Sequence, residues 1–278
     1  MLALEALKPF HVTTIRNLIN ILSWGYLYSK SILLSKKIRF DDPGELEDKR
    51  KPLIRVYKIE KHGDNFQVTS EFKELQLNEF VRLYLFVVKD ARGEIFIPKF
   101  LHILSNNFVA IAILIFDEII KVIEWARENN LDYYVILGHP YSKYPTAFTN
   151  LESLINYLYL DTPGIDALKE WLKFALNLIE DSQLPKDYFV GMRSHEAKQL
   201  DYYLNQLLAS ELIVRNCLTV NLLKKIIVVS DKYPKRSIER IRKLLRPYRG
   251  KVELIFQPKL SVLGHNPYVE LYRSVWYS

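Results

Sequence analysis

The sequence predicts an α+β fold, a mixed β-sheet that carries helices on its faces. Short apolar and β-branched runs at residues 108–116 and 133–137 are typical of buried strands. Apolar residues at helical spacing follow or precede such runs, as at 15–23 and 117–129. The chain has 278 residues without an internal repeat or a Gly/Ser linker. We therefore expect one domain over residues 1–278.

The remaining elements are predicted by local signals. Residues 7–12 suit a strand, Thr13 or Thr14 can cap the helix over 15–23, and Gly25 can end it. Further elements are predicted as follows: a hairpin within 53–77 that turns at 62–65, a strand at 80–88, a helix or capped loop at 146–160, a helical insertion over 164–208, strands at 211–214, 225–229, 252–256 and 269–276, and a helix at 237–245.

The composition favours a folded protein with an anionic partner. The chain is 49% hydrophobic and 26% charged, which is too apolar for a disordered chain. The net charge is +7 at pH 7. Basic residues cluster from Lys232 to Arg249, where a helix would present a basic face. Contact with nucleic acid phosphates, or a merely solvated face, would explain this cluster. Its candidate nucleic-acid-binding residues are Lys235, Arg236, Arg240, Arg242, Lys243 and Arg246.

Cysteine usage and motifs argue against several other classes. Cys217 is the single cysteine, so neither an intrachain disulfide nor a cysteine-based metal site can form. The sequence has no P-loop, HExxH or GxSxG motif, and we expect no metal. The longest apolar run, 108–116, is too short to span a bilayer. With no signal-peptide pattern, we expect a cytoplasmic protein without a membrane partner.

Two small constellations could carry chemistry. His11 and Thr13 alternate along a predicted strand, so both side chains lie on one face, beside a capped helix. They could bond a nucleotide, although a core histidine bonded to a backbone carbonyl is the alternative. Glu211 opens the apolar strand Leu212 to Val214. A carboxylate there needs a partner or a function, unless the strand end is in solvent.

These residues also carry a family resemblance. The chain matches the pattern His-x-Thr-x-x-x-Asn-Leu-x-x-Ile-Leu-x-x-Gly-x-Leu at His11, Thr13, Asn17, Leu18, Ile21, Leu22, Gly25 and Leu27. A strand Phe80 to Leu85 and a later Ser210 to Val214 follow in order. In these motifs the chain resembles the DarT family of DNA ADP-ribosyltransferase toxins. The resemblance implies an ADP-ribosyltransferase-like fold, NAD as substrate and a toxin or antiviral defence role.

Site residues follow from the resemblance position by position. His11, Thr13 and Asn17 would hold NAD, and Tyr84 would line the nicotinamide pocket. Glu211 would be the catalytic acid. We expect it on a strand next to that of His11, the two residues lining one cleft. Arg50 is the first candidate for the family's catalytic arginine, with Arg39 and Arg55 as alternatives. The implied acceptor is a base in single-stranded DNA.

The chain departs from the family near the expected cleft. Arg82 stands where the family has proline, and Gly138-His139-Pro140 replaces an Asp-Gly-Asn turn. A second hypothesis is therefore a catalytically inactive protein on the same fold. It would serve as a nucleic-acid-binding or partner subunit of a prokaryotic defence complex, with a protein partner or antitoxin.

Overall fold

The computed structural model describes residues 7–41, 51–85, 88–89, 95–96, 110–138, 140, 145–160 and 209–258. Its helices in these ranges are α1 Ile15–Trp24, α2 Lys30–Ser35, α3 Ile119–Glu128, α4 Leu151–Tyr159 and α5 Lys235–Leu244. Its strands are β1 Phe10–Thr14, β2 Tyr26–Tyr28, β3 Leu53–His62, β4 Asn65–Glu74, β5 Phe80–Tyr84, β6 Val88–Lys89, β7 Ile95–Phe96, β8 Ile111–Phe116, β9 Tyr133–Leu137, β10 Thr146–Phe148, β11 Glu211–Arg215, β12 Cys217–Thr219, β13 Leu223–Val229 and β14 Glu253–Gln257.

Ten of these strands form one mixed sheet, in the order β14-β13-β8-β1-β5-β11-β9-β10-β3-β4. The pairs β13/β14 and β10/β3 are parallel, and the other neighbours are antiparallel. β2 pairs with β12, and β6 with β7, in two small separate sheets. The predicted α+β class with a mixed sheet is confirmed.

The sheet is nearly divided between β1 and β5. β1 pairs with β8 along its whole length, from Phe10 to Thr14. With β5 it shares one residue pair, Phe10 opposite Tyr84. β5 in turn pairs with β11 along its whole length. The two halves of the sheet are thus joined at one point, beyond which β1 and β5 separate.

The start, the end and the buried face of helix α1 are determined by residues within and next to it. The helix lies beside the gap between β1 and β5. Thr14 has extended backbone angles, and its Oγ1 accepts a hydrogen bond from the Asn17 N–H, as expected of an N-cap. Gly25 ends the helix with φ of 74°, a left-handed conformation that a side chain would disfavour. Ile15, Leu18, Ile21 and Leu22 are the buried face of the helix. Helix α1 packs against α5.

The main core lies on the face of the sheet that α1, α3 and α5 cover. Leu83, Leu114 and Leu212 are fully buried there, together with Ile119 and Ile241 from the helices. Burying each such side chain contributes roughly 1.5–3 kcal/mol. A smaller cluster on the opposite face contains Phe10 and Tyr84. The single joint between β1 and β5 is therefore fixed by packing on both faces.

Most predicted elements in the described ranges are confirmed, with two corrections. Residues 146–160, predicted as a helix or capped loop, are strand β10 followed by α4, and the Asn150 side chain caps α4 by accepting from the Ser153 N–H at 2.7 Å. The strand predicted at 80–88 ends at Tyr84. The insertion at 164–208 and the strand at 269–276 lie outside the described residues, and the single-domain organisation stays a prediction.

Candidate nucleotide-binding cleft

A cavity of about 210 Å³ lies where β1 and β5 separate. It is lined by three consecutive residues of each strand, His11 to Thr13 and Phe80 to Arg82. A cavity on one face of a continuous sheet would meet alternate residues of a strand, since side chains alternate between faces. The consecutive lining residues of both strands place the cavity beside the gap between β1 and β5. Residues of α1 and α2 and the segment ending at Asp41 complete its wall.

His11 spans the gap between the two strands. Its Nδ1 lies 3.0 Å from the carbonyl oxygen of Arg82. Because a carbonyl can only accept, Nδ1 carries the proton, which leaves Nε2 of the neutral ring as an acceptor. Burial lowers the pKa of His11 below its ordinary value. The hydrogen bond to the carbonyl opposes this effect, and the positive charge of Arg82 adds to it.

Hydrogen bonds of Asp41 connect the segment after α2 to the first turn of α1. Its carboxylate accepts from Thr14 Oγ1 at 2.7 Å and from Arg16 at 2.8 Å. Its backbone bonds both ends of the Asn17 amide: Asn17 Nδ2 donates to the Asp41 carbonyl, and Asn17 Oδ1 accepts from the Asp41 N–H. Asn17 lines the cavity, but its amide holds this segment in place.

Arg82 and Glu211 form a bidentate ion pair. Arg82 Nε donates to Glu211 Oε2 and Nη2 donates to Oε1, both at 2.7 Å. The carboxylate side chain is 1% exposed and that of the arginine 23%. The register explains the contact: Ile213 lies opposite Arg82 and Glu211 opposite Tyr84, so Arg82 and Glu211 are diagonal neighbours on one face. Both oxygens of a buried carboxylate are thus paired with one guanidinium.

The expectation that His11 and Glu211 lie on neighbouring strands and line one cleft is wrong. β5 lies between their strands, so the strands are not neighbours. The register also puts Glu211 on the face of Tyr84 and Phe10, and alternation puts His11 and Thr13 on the other face. The two residues are connected through Arg82, whose carbonyl meets His11 and whose guanidinium meets Glu211.

The other predicted site residues are placed as follows. Thr13 is buried and lines the cavity. Tyr84 is buried against Phe10, with ring centroids 5.4 Å apart, and is not among the residues lining the cavity. Arg55 lies on β3, four strands away from β5, and bonds Ser70. The Arg39 carbonyl accepts a long hydrogen bond from Asn20. Arg50 and His139 lie outside the described residues.

Sequence reasoning missed the role of Arg82. It identified this residue only as a departure from the family's proline. A signal was present in the sequence, because Arg82 is a lone charge within an apolar strand, as Glu211 is. Two opposite charges on strands that are otherwise apolar are expected to pair when those strands become neighbours.

Helix α5 carries the predicted basic surface. Its apolar residues Ile238 and Ile241 are buried. Six predicted nucleic-acid-binding residues are exposed: Lys235, Arg236, Arg240, Arg242, Lys243 and Arg246. Arg242 also lies over the ring of Phe256, 5.6 Å from its centroid. The surface therefore presents positive charge to solvent.

Within the described ranges, no group of three or more His, Cys, Asp or Glu residues is arranged to hold a metal ion. Among the helices in the same part of the chain, none is long and apolar enough to cross a membrane.

The ten-stranded mixed sheet and its flanking helices define an α+β fold. The backbone is similar to that of Thermus sp. 2.9 DarT in complex with ADP-ribosylated ssDNA: the TM-score is 0.50 and the identity 14%, over 93% of this chain and 97% of that one. At this identity the likeness shows a shared fold.

Two further structures are similar. Thermus sp. 2.9 DarT in complex with carba-NAD+ matches with a TM-score of 0.48 and 14% identity, over 93% of this chain and 98% of that one. Thermosipho africanus DarTG in complex with ADP-ribose matches with a TM-score of 0.47 and 15% identity, over 89% of this chain and 49% of that one. No protein-family model and no curated protein matches the sequence.

We predict that Arg82 and Glu211 are strongly coupled in stability. Arg82→Leu leaves a buried carboxylate unpaired and should lower the free energy of unfolding by about 3–5 kcal/mol. Adding Glu211→Leu should recover most of that loss, since the unpaired charge is then gone. Urea denaturation of the two single variants and the double variant measures the coupling. Additive losses would show that the two side chains do not interact.

We predict that His11 makes stability fall in mild acid. Its folded-state pKa is lowered, so below the unfolded value of about 6.5 the unfolded chain takes up a proton that the folded chain resists. The stability that depends on neutral His11 is fully present above about pH 6.5. It is lost as the pH falls towards the pKa that His11 has in the folded protein. Between about pH 7 and about pH 5, His11→Gln should lose less stability than the wild type. Equal losses in urea denaturation would contradict this assignment.

Proposed function

We propose that this chain is a NAD-dependent ADP-ribosyltransferase that modifies a base of single-stranded nucleic acid. One observation carries the proposal: the cavity between β1 and β5 is lined by His11 and by Arg82, and Arg82 is bonded to the buried Glu211. The cavity and the buried carboxylate are thus connected through one residue, by its backbone carbonyl to His11 and by its guanidinium to Glu211. The fold shared with a DarT in complex with ADP-ribosylated ssDNA supports the choice of reaction.

The chemistry of the cavity wall suits NAD. Trp24, Tyr28 and Phe40 offer aromatic surface for flat rings. His11 Nε2 and Thr13 offer polar groups for ribose hydroxyls or an amide. Lys30 brings positive charge for the diphosphate. Asn17 would act as a positioning residue, because its amide holds the Asp41 segment that closes one side of the cavity.

Glu211 would act on the reacting ribose. As the bond from ribose C1′ to nicotinamide breaks, nicotinamide leaves with the bonding electrons and positive charge develops on the ribose ring. A carboxylate nearby stabilises this charge. A base nitrogen or amino group of the acceptor then bonds to C1′, and Glu211 accepts the proton that it releases. Arg82 would fix the position of the carboxylate, and Arg50 stays the first candidate for the catalytic arginine.

A second candidate function is favoured by the same ion pair. Both oxygens of Glu211 are bonded to Arg82, and a carboxylate so paired stabilises a neighbouring cation less than a carboxylate without a paired guanidinium. On this account the chain has lost transferase activity. It would act as a nucleic-acid-binding or partner subunit, with α5 as its contact surface. A toxin or antiviral defence role and a protein partner or antitoxin accompany either candidate.

We predict transfer of labelled ADP-ribose from NAD to single-stranded oligonucleotides. Glu211→Gln should lower the rate by roughly 10²-fold or more, because it removes the charge that stabilises the ribosyl cation. Glu71→Gln, at an exposed ion pair on β4, is the matched control and should keep wild-type activity. Mass spectrometry of the oligonucleotides measures the product. Full activity in Glu211→Gln would make Glu211 structural. A wild type that transfers nothing to DNA or RNA would favour the second candidate.

We also predict salt-sensitive nucleic-acid binding through α5. If its basic residues contact phosphates, affinity should fall steeply with salt as counterions are released. Reversing Arg236, Arg240 and Lys243 to Glu should weaken binding to all sequences about equally, since phosphate contacts carry little sequence information. Fluorescence anisotropy at several salt concentrations measures both effects. Unchanged binding in the triple variant would leave α5 as a solvated helix.

A further inference from the structure

Three aromatic side chains form a surface at the end of α1. Trp24 is the last residue of the helix, and Tyr26 and Tyr28 belong to β2. The Tyr26 and Tyr28 rings are stacked, with centroids 5.8 Å apart and 28° between their planes. The Trp24 ring lies 6.1 Å from that of Tyr28. We refer to these three residues as the aromatic surface.

The pattern of β2 explains why these rings face outwards. Leu27 is 6% exposed and packs in the main core. Because side chains alternate along a strand, Tyr26 and Tyr28 lie together on the other side. Tyr26 is 38% exposed and Trp24 37%. Most aromatic side chains of this size are largely buried, so two such rings in solvent mark a contact surface.

The aromatic surface lies between the cavity and helix α5. Trp24 and Tyr28 also line the cavity, so the surface is continuous with its mouth. On the other side, a Cβ built on Gly25 would lie 3.9 Å from Tyr248 Oη. Tyr248 follows α5 by four residues and lies between Arg246 and Arg249 in the sequence. The aromatic surface therefore lies next to both the cavity and the basic segment that follows α5.

The basic residues near the three rings favour an anionic ligand. Residues 24–41 contain four basic residues, Lys30, Lys36, Lys37 and Arg39, and one acidic residue, Asp41. That carboxylate is already paired with Arg16 at 2.8 Å. Lys36 Nζ lies 4.6 Å from the centroid of the Tyr28 ring, so a cation accompanies the stack itself. Aromatic rings interleaved with cations are the arrangement that binds unpaired bases and their phosphates.

We infer that the aromatic surface stacks the unpaired bases of a single-stranded nucleic acid and guides the strand into the cavity. The inference rests on the proposed function for its acceptor, a base in such a strand. It assigns the preference for single-stranded over double-stranded nucleic acid to Trp24, Tyr26 and Tyr28. Bases of a duplex are already stacked on each other, so a duplex cannot use these rings. The phosphate contacts of α5 would serve either form.

The test measures oligonucleotide binding without NAD. Fluorescence anisotropy compares a single strand of about ten nucleotides with an abasic strand of the same length and with a duplex. Trp24→Leu and Tyr26→Leu should each bind the single strand about tenfold more weakly, because one stacked base is lost. Trp24→Phe and Tyr26→Phe keep a ring and should bind nearly as the wild type does. Phe72→Leu, an exposed ring on β4, is the matched control.

Two accompanying readouts exclude a merely structural effect. The abasic strand should bind the wild type more weakly than the normal strand binds either leucine variant, because it has no base to stack on any ring. The dependence of affinity on salt should be the same in all variants, since no phosphate contact is removed. The inference is overturned if the leucine variants bind like the wild type, if normal and abasic strands bind equally, or if no strand binds, as a protein ligand would predict.

The two proposals fail separately. A chain that loses single-strand binding in Tyr26→Leu but never transfers ADP-ribose would support the aromatic surface and reject the transferase function. A chain that transfers ADP-ribose while Tyr26→Leu binds strands normally would reject the aromatic surface alone.

Discussion

The gap between β1 and β5 is the constraint on which the site depends. These strands share the pair Phe10 and Tyr84 and then separate, although each is fully paired on its other side. Backbone groups exposed by such a gap need partners. The ring of His11 supplies one of them by donating to the Arg82 carbonyl. The His11 side chain thus replaces a backbone hydrogen bond that a continuous sheet would form here. The space left between the two strands is occupied by the cavity.

The second requirement is electrostatic. Glu211 is almost completely buried, and a buried carboxylate without a partner would cost several kcal/mol. Arg82 on the neighbouring strand supplies a guanidinium that meets both oxygens. Replacing the pair by apolar residues would be expected to maintain or raise stability. Stability alone therefore does not account for a charged pair between these two strands.

The sequence predicted what is determined locally. Thr14, the apolar face of α1 and Gly25 fix one strand and helix within a run of adjacent residues, so the periodicity was sufficient. The pairing of Arg82 with Glu211 depends on the register of β5 and β11, which are 129 residues apart in the contact. Spacing within one strand cannot predict such a register. The same limit explains why His11 and Glu211 were expected on neighbouring strands, since nothing in either motif places β5 between them.

Arg82 also couples the cavity to the carboxylate. It lines the cavity, whereas Glu211 is not among the described residues that do so. At the cavity, His11 meets the backbone carbonyl of Arg82, and the guanidinium of the same residue meets Glu211. If an anionic ligand attracts Arg82, the ion pair between Arg82 and Glu211 weakens. The negative charge of Glu211 then acts more strongly on its surroundings. If Arg82 keeps its bidentate geometry, Glu211 stays neutralised. Arg82 therefore connects the cavity wall to the buried carboxylate, so that any change at the cavity that moved Arg82 would also change the surroundings of Glu211.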